Sequence, residues 1–95
     1  IPTADDDAIS ITLAAEQVRA EAQAVAADRL LPLLTEREAA VYRRGRNART
    51  ARTDGAYHKA TGLEALFGYL YLSGETARLR ELFDEAMTAI GETAG

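Results

Sequence analysis

Between Ala60 and Leu72 the chain reads Ala-Thr-Gly-Leu-Glu-Ala-Leu-Phe-Gly-Tyr-Leu-Tyr-Leu, and Glu64 is its only charge. An apolar stretch of this length without alternation folds as a helix that other helices cover. A lone carboxylate costs several kcal/mol to bury, so Glu64 calls for a cation, a donor or a metal beside it. At helical spacing Thr61, Gly68 and Tyr71 share its face, while Leu63, Leu66, Phe67 and Leu70 point elsewhere. Glycine inside a helix costs about 1 kcal/mol relative to alanine, so Gly68 is expected to mark a close helix crossing. Glu64 is then expected on a buried or half-buried face, aimed at a groove.

The rest of the chain supplies helices to pack around it. Pro2 and Asp5-Asp6-Asp7 make residues 1–10 read as a tail or linker. From about Leu13 to Leu31 the residues are good helix formers, with a loose stripe of Leu13, Val18, Ala22, Val25, Ala26 and Leu30. Pro32 predicts a break. Thr35-Glu36-Arg37-Glu38 fits a capping box that opens a short helix toward Gly45, expected to end it. Residues 46–56 lack a period and read as an exposed loop. A third helix spans about Tyr57 to Ser73 and ends at Gly74. A fourth starts near Glu75, carries Leu79, Leu82, Phe83, Ala86, Met87 and Ile90 at helical spacing, and ends at Gly91. No strand alternation occurs, so the expected fold is all-α with about four helices, one domain over residues 11–91 and a tail at 92–95.

Ninety-five residues allow one modest core. The absence of cysteine removes disulfides and thiolate metal sites, and is compatible with a reducing compartment. A single histidine, His58, rules out a multi-histidine metal site within one chain. No apolar run approaches the roughly 20 residues of a membrane span, so no membrane partner is expected. The chain does not open on Met and is expected to be processed, truncated or part of a longer protein. The net charge of −4 is unevenly spread: residues 37–59 balance to +5 and the remainder to −9. Such asymmetry suits a polyanion meeting one patch of an acidic protein, and equally a solvated helix end and loop.

No glycine-rich nucleotide motif or cysteine nucleophile is present, and His58 has no evident serine and acid partners. Two features remain. Glu64 is either a metal ligand or the partner of an arginine such as Arg43 or Arg46. Arg43 and Arg44 fall in the last turn of the second helix, where its dipole favours cations. Arg46, Arg49, Arg52 and Lys59 are spaced by small residues, which suits phosphate contacts more than base reading. Only Tyr57 is near enough to stack, which favours a duplex over a single strand.

Arg43-Arg44-Gly45-Arg46-Asn47-Ala48, followed after a loop by Tyr57-His58-Lys59-Ala60-Thr61-Gly62-Leu63-Glu64-Ala65-Leu66-Phe67-Gly68-Tyr69-Leu70-Tyr71-Leu72, resembles the mini-ribonuclease III family. So do Val18-Arg19-Ala20-Glu21-Ala22-Gln23-Ala24 upstream and Arg78-Leu79 with Leu82 downstream. The resemblance covers roughly residues 12–90. It implies an all-helical ribonuclease III-like domain, a homodimer, and Mg²⁺-dependent cleavage of double-stranded RNA. It also implies trimming of 23S ribosomal RNA precursors, in the bacterial cytoplasm or an organelle. On this resemblance Glu64 is the catalytic and metal-binding glutamate. Thr61 stands where larger ribonuclease III enzymes carry a second aspartate. Arg43, Arg44, Arg46, Asn47, Arg49, Arg52 and Lys59 meet the RNA. The family's signature helix, with Gly-Asp-Ala, should precede Val18 by several tens of residues, and this chain has 17 residues there. Asp7-Ala8 imitates two of its letters without the glycine, so no catalytic aspartate is assigned to Asp5, Asp6 or Asp7. The expectation is an incomplete catalytic domain. It is either part of an endoribonuclease, or an inactive ribonuclease III-like module that binds RNA or protein, for example in a ribosome.

Overall fold

Proline cannot continue a helix, and Pro32 stands where the first helix stops. The computed structural model of the chain describes residues 18–48 and 55–94. Residues 18–30 form helix α1, and the chain then tightens into a 3-10 turn at Leu31–Leu33 and becomes extended at Leu34. Three helices follow: α2 (Glu36–Arg46), α3 (Gly55–Leu72) and α4 (Thr76–Ala94). All regular structure among the described residues is helical. None of these helices is long and apolar enough to cross a membrane.

Helix α2 opens on the capping box read from the sequence. The Glu38 amide donates to Thr35 Oγ1 at 3.2 Å, and the Thr35 amide donates to Glu38 Oε1 at 2.9 Å. Glu38 is nevertheless buried, 5% exposed, because a second partner waits for it. Arg78, in the first turn of α4, donates from Nε to Oε2 and from Nη2 to Oε1, both at 2.9 Å. Its Nη2 also reaches the Leu33 carbonyl at 2.8 Å, and it pairs with Glu81. These Arg78 hydrogen bonds, ahead of the opposing effect of burial, hold the Glu38 carboxyl below its usual value. One guanidinium thus ties α4 to the start of α2 and to the 3-10 turn.

Helices α2 and α3 cross backbone to backbone, at glycines other than the expected one. A Cβ on Gly45 would lie 2.5 Å from Ala65 Cβ and 3.1 Å from the Thr61 carbonyl oxygen. A Cβ on Gly62 would lie 2.8 Å from the Tyr42 ring and 2.9 Å from the Tyr42 carbonyl oxygen. Gly68 is exposed and a Cβ there would meet open space, so it marks no crossing. Gly45 does not end α2 either; the helix continues to Arg46 and is capped by Asn47. A glycine within a helical pattern reads alike as a cap or a contact, and only the facing helix separates the two.

Gly74 does end α3, at φ +74°, a conformation that strains any side chain. The Glu75 amide reaches back to the Leu70 carbonyl at 2.9 Å and the Gly74 amide to Tyr71 at 3.1 Å, the paired bonds of a Schellman cap. Helix α4 runs past Gly91, its expected end, to Ala94. Its inner face is Leu82, Ala86 and Ala89, while Phe83 and Met87 stay about half exposed at 48% and 50%. Leu82 and Ala86 close the core with Ala26, Leu30, Leu63, Leu66 and Leu70. Of the α1 stripe, Ala26 and Leu30 are buried and Val18 is 64% exposed; Leu13 lies outside the described residues. Ion pairs fasten α1 to its neighbours: Arg29 to Glu85 at 3.5 Å and Lys59 to Asp28 at 2.9 Å.

Candidate nucleic-acid interface and carboxylate cavity

Leu63, Leu66 and Leu70 take α3 into the core, which turns Glu64 outward. Glu64 is exposed, as are Gly68 and Tyr71 on the same face. This corrects the expectation of a buried or half-buried carboxylate: the charge needs no partner to offset desolvation, because it keeps its water. The expected groove is present all the same. A cavity of about 270 Å³ lies between α1 and α3, lined by Arg19, Ala20 and Gln23 on one side and Tyr57, Ala60, Thr61 and Glu64 on the other. The Thr61 hydroxyl donates to the Tyr57 carbonyl at 2.9 Å, so it is held against its own helix. Glu64 and Gln23 also border a second hollow of about 250 Å³ with an apolar floor that includes Phe67, Phe83 and Met87.

Among the described residues Glu64 makes no ion pair or hydrogen bond through its side chain, so neither Arg43 nor Arg46 is its partner. No group of three or more His, Cys, Asp or Glu side chains is gathered for a metal among the described residues. Among the described residues Glu64 is the one carboxylate lining the α1–α3 cavity. That donor set meets the needs of a magnesium ion only in part, since the ion takes one or two carboxylates and fills its octahedron with other oxygens.

The basic residues gather at the end of α2. Arg43, Arg44 and Arg46 occupy its last turn, with Arg43, Arg44 and Asn47 exposed. The Arg46 guanidinium lies 6.0 Å from the centre of the Tyr42 ring, and its Nε donates to Asn47 Oδ1 at 3.3 Å. Tyr42 itself is buried, which pushes its phenol up in pKa. Lys59 has a partner the sequence did not suggest, Asp28 on α1. Arg49 and Arg52 lie outside the described residues. The structure therefore brings Arg43, Arg44, Arg46 and Asn47 together, and places Lys59 on the adjoining first turns of α3. It adds one residue that sequence reasoning passed over: His58 Nδ1 lies 3.0 Å from the Arg46 carbonyl oxygen. No periodic signal links residues 46 and 58, which belong to different helices.

Residues 8–75 match the ribonuclease III domain. The chain belongs to the mini-ribonuclease 3 family. It is 44% identical over 80 residues to the mini-ribonuclease 3 of Thermoanaerobacter sp. (strain X514), covering 79% of this chain and 56% of that protein. With the mini-ribonuclease 3 of Synechococcus sp. (strain ATCC 27144 / PCC 6301 / SAUG 1402/1) identity is 51% over 72 residues, 72% of this chain and 51% of the relative. With that of Enterococcus faecalis it is 40% over 88 residues, 85% of this chain and 67% of the relative. The chain spans about half the length of most of these curated mini-ribonuclease 3 relatives. No solved structure matches it significantly. The all-helical architecture agrees with a mini-ribonuclease 3.

Proposed function

We propose that this chain is part of a mini-ribonuclease 3-type endoribonuclease that cuts double-stranded RNA, with 23S ribosomal RNA precursors as substrate and a homodimer as the working form. The observation that carries the reading is Glu64, an exposed carboxylate on the wall of the α1–α3 cavity with no cation bound to it among the described residues. Such a group is available to a hard cation, and Glu64 is the residue that would hold magnesium. Magnesium, when bound, polarises a phosphodiester and lowers the pKa of a water. Gln23 and Thr61 bring further side-chain oxygens to the same cavity, and water would supply the rest. Arg43, Arg44 and Arg46, with Arg49, Arg52 and Lys59, supply the cations for a phosphate backbone, and Asn47 a neutral donor.

The test is Glu64→Gln in the full-length protein, which keeps the shape and removes the charge. Cleavage of duplex RNA in magnesium should be lost, while duplex binding and the melting temperature are retained because the side chain is exposed. Full cleavage by the variant overturns the assignment. A wild-type protein that binds duplex RNA and never cuts it supports the inactive RNA-binding module instead.

A further inference from the structure

The last carbonyls of an α-helix have no donor within the helix and must find one outside. At the end of α2 the Arg43 carbonyl is met by the Asn47 amide at 2.9 Å and the Gly45 carbonyl by the Ala48 amide at 3.2 Å. The Arg46 carbonyl is met from another helix, by His58 Nδ1 at 3.0 Å. A carbonyl only accepts, so Nδ1 carries the proton and donates, which fixes the tautomer of the neutral ring. His58 is half-buried in the first turns of α3, twelve residues along the chain from Arg46. The bond therefore closes the stem between the two helices just beyond the Gly45–Gly62 crossing.

We propose that His58 is a positioning residue for the arginines at the end of α2. By anchoring the Arg46 backbone it holds the last turn in the geometry from which Arg43, Arg44 and Arg46 reach a phosphate backbone. The Arg46 side chain depends on this anchor most. Its contacts with the Tyr42 ring and Asn47 Oδ1 both start from a backbone that His58 fixes. An arginine already oriented loses less freedom when it meets its phosphate. The proposal rests on the arginines being phosphate contacts.

The experiment compares His58→Ala and His58→Asn in the full-length protein, using a fluorescent RNA duplex at several salt concentrations and amide hydrogen exchange at Asn47 and Ala48. Asparagine places an N–H near the position of Nδ1. His58→Ala should weaken duplex binding about three- to tenfold, the size expected when one or two long side chains must be ordered on binding. Its salt dependence should match wild type, because no phosphate contact is removed. Exchange at Asn47 and Ala48 should quicken, the loss should fall on KM rather than kcat, and His58→Asn should restore most of it. Unchanged affinity and exchange in His58→Ala overturn the proposal. A flatter salt dependence without rescue by asparagine also overturns it, since His58 would then be a phosphate contact itself. If wild type binds no duplex, the proposed function fails and the positioning role with it, while the exchange rates still report whether the anchor exists.

Discussion

Among the described residues, Glu38 and Arg78 are those on which the most side-chain hydrogen bonds converge. A carboxylate that accepts from the Thr35 amide at the start of α2 and receives two donors from one guanidinium is stabilised as the anion. Its folded pKa is lowered, so its contribution is complete above the unfolded value of about 4.3 and disappears as pH falls through the folded value. We expect the urea midpoint of the wild type to fall between pH 6 and pH 3 more steeply than that of Glu38→Gln, whose amide does not titrate. At neutral pH Glu38→Ala should cost about 2–3 kcal/mol, combining a lost cap with lost hydrogen bonds to a charged, half-buried arginine. A midpoint within error of wild type at neutral pH would show that water replaces both. The capping role of Glu38 was legible from Thr35 three residues before it. The arginine was not, because Arg78 lies 40 residues further on and local spacing says nothing about such a pair.

At the scale of elements, glycines in similar helical settings should behave oppositely. Gly68 faces open space inside α3, so Gly68→Ala should stabilise by about 0.5–1 kcal/mol through helix propensity alone. Gly62→Ala would drive a methyl into the Tyr42 ring and backbone, and should cost about 1–3 kcal/mol despite the same gain in propensity. Thermal unfolding of the two variants decides it, and shifts of equal sign would dismiss the crossing. The sequence made the breaks at Pro32 and Gly74 readable because each has a local backbone cause. It misassigned Gly45 and Gly68 because their difference lies on a facing helix. The exposure of Glu64 was hidden for a related reason. The stretch around it is apolar on several sides, and only packing decides which side meets water. For the candidate site this meant that residue types and their order were legible. The cavity, the Asp28 partner of Lys59 and the His58 contact were not.

At the scale of the molecule, the described residues present two contrasting surfaces. Val18, Phe83 and Met87 leave large apolar side chains about half exposed or more, with Phe67 packed beside Phe83 at a ring separation of 6.4 Å. Leu63 and Leu70 are in the core, and Phe67 is partly buried against it. If the exposed surface is where two copies meet, light scattering at tens of micromolar should give a dimer, well above a Kd of about 1 μM or below. Replacing Phe83 and Met87 by serine should give a folded monomer. At the basic end, Arg43→Ala with Arg44→Ala should weaken duplex RNA binding alike for all sequences. Each lost phosphate contact should flatten the log–log salt slope by roughly 0.9, the B-form value, or a similar amount for RNA. An unchanged slope would mean that these arginines only complement the helix dipole.

Gly45 precedes Arg46 by one residue and Gly62 precedes Glu64 by two, so the backbone contact lies within one helical turn of both candidate groups along the chain. The crossing therefore acts as a calliper. The gap between the cation that would grip one phosphate and the carboxylate that would address another is set by main chain on main chain. On the proposed function, a duplex seated on such a gauge would be offered for cutting in one register. Loosening the crossing would scatter the positions of the cuts before it slowed them.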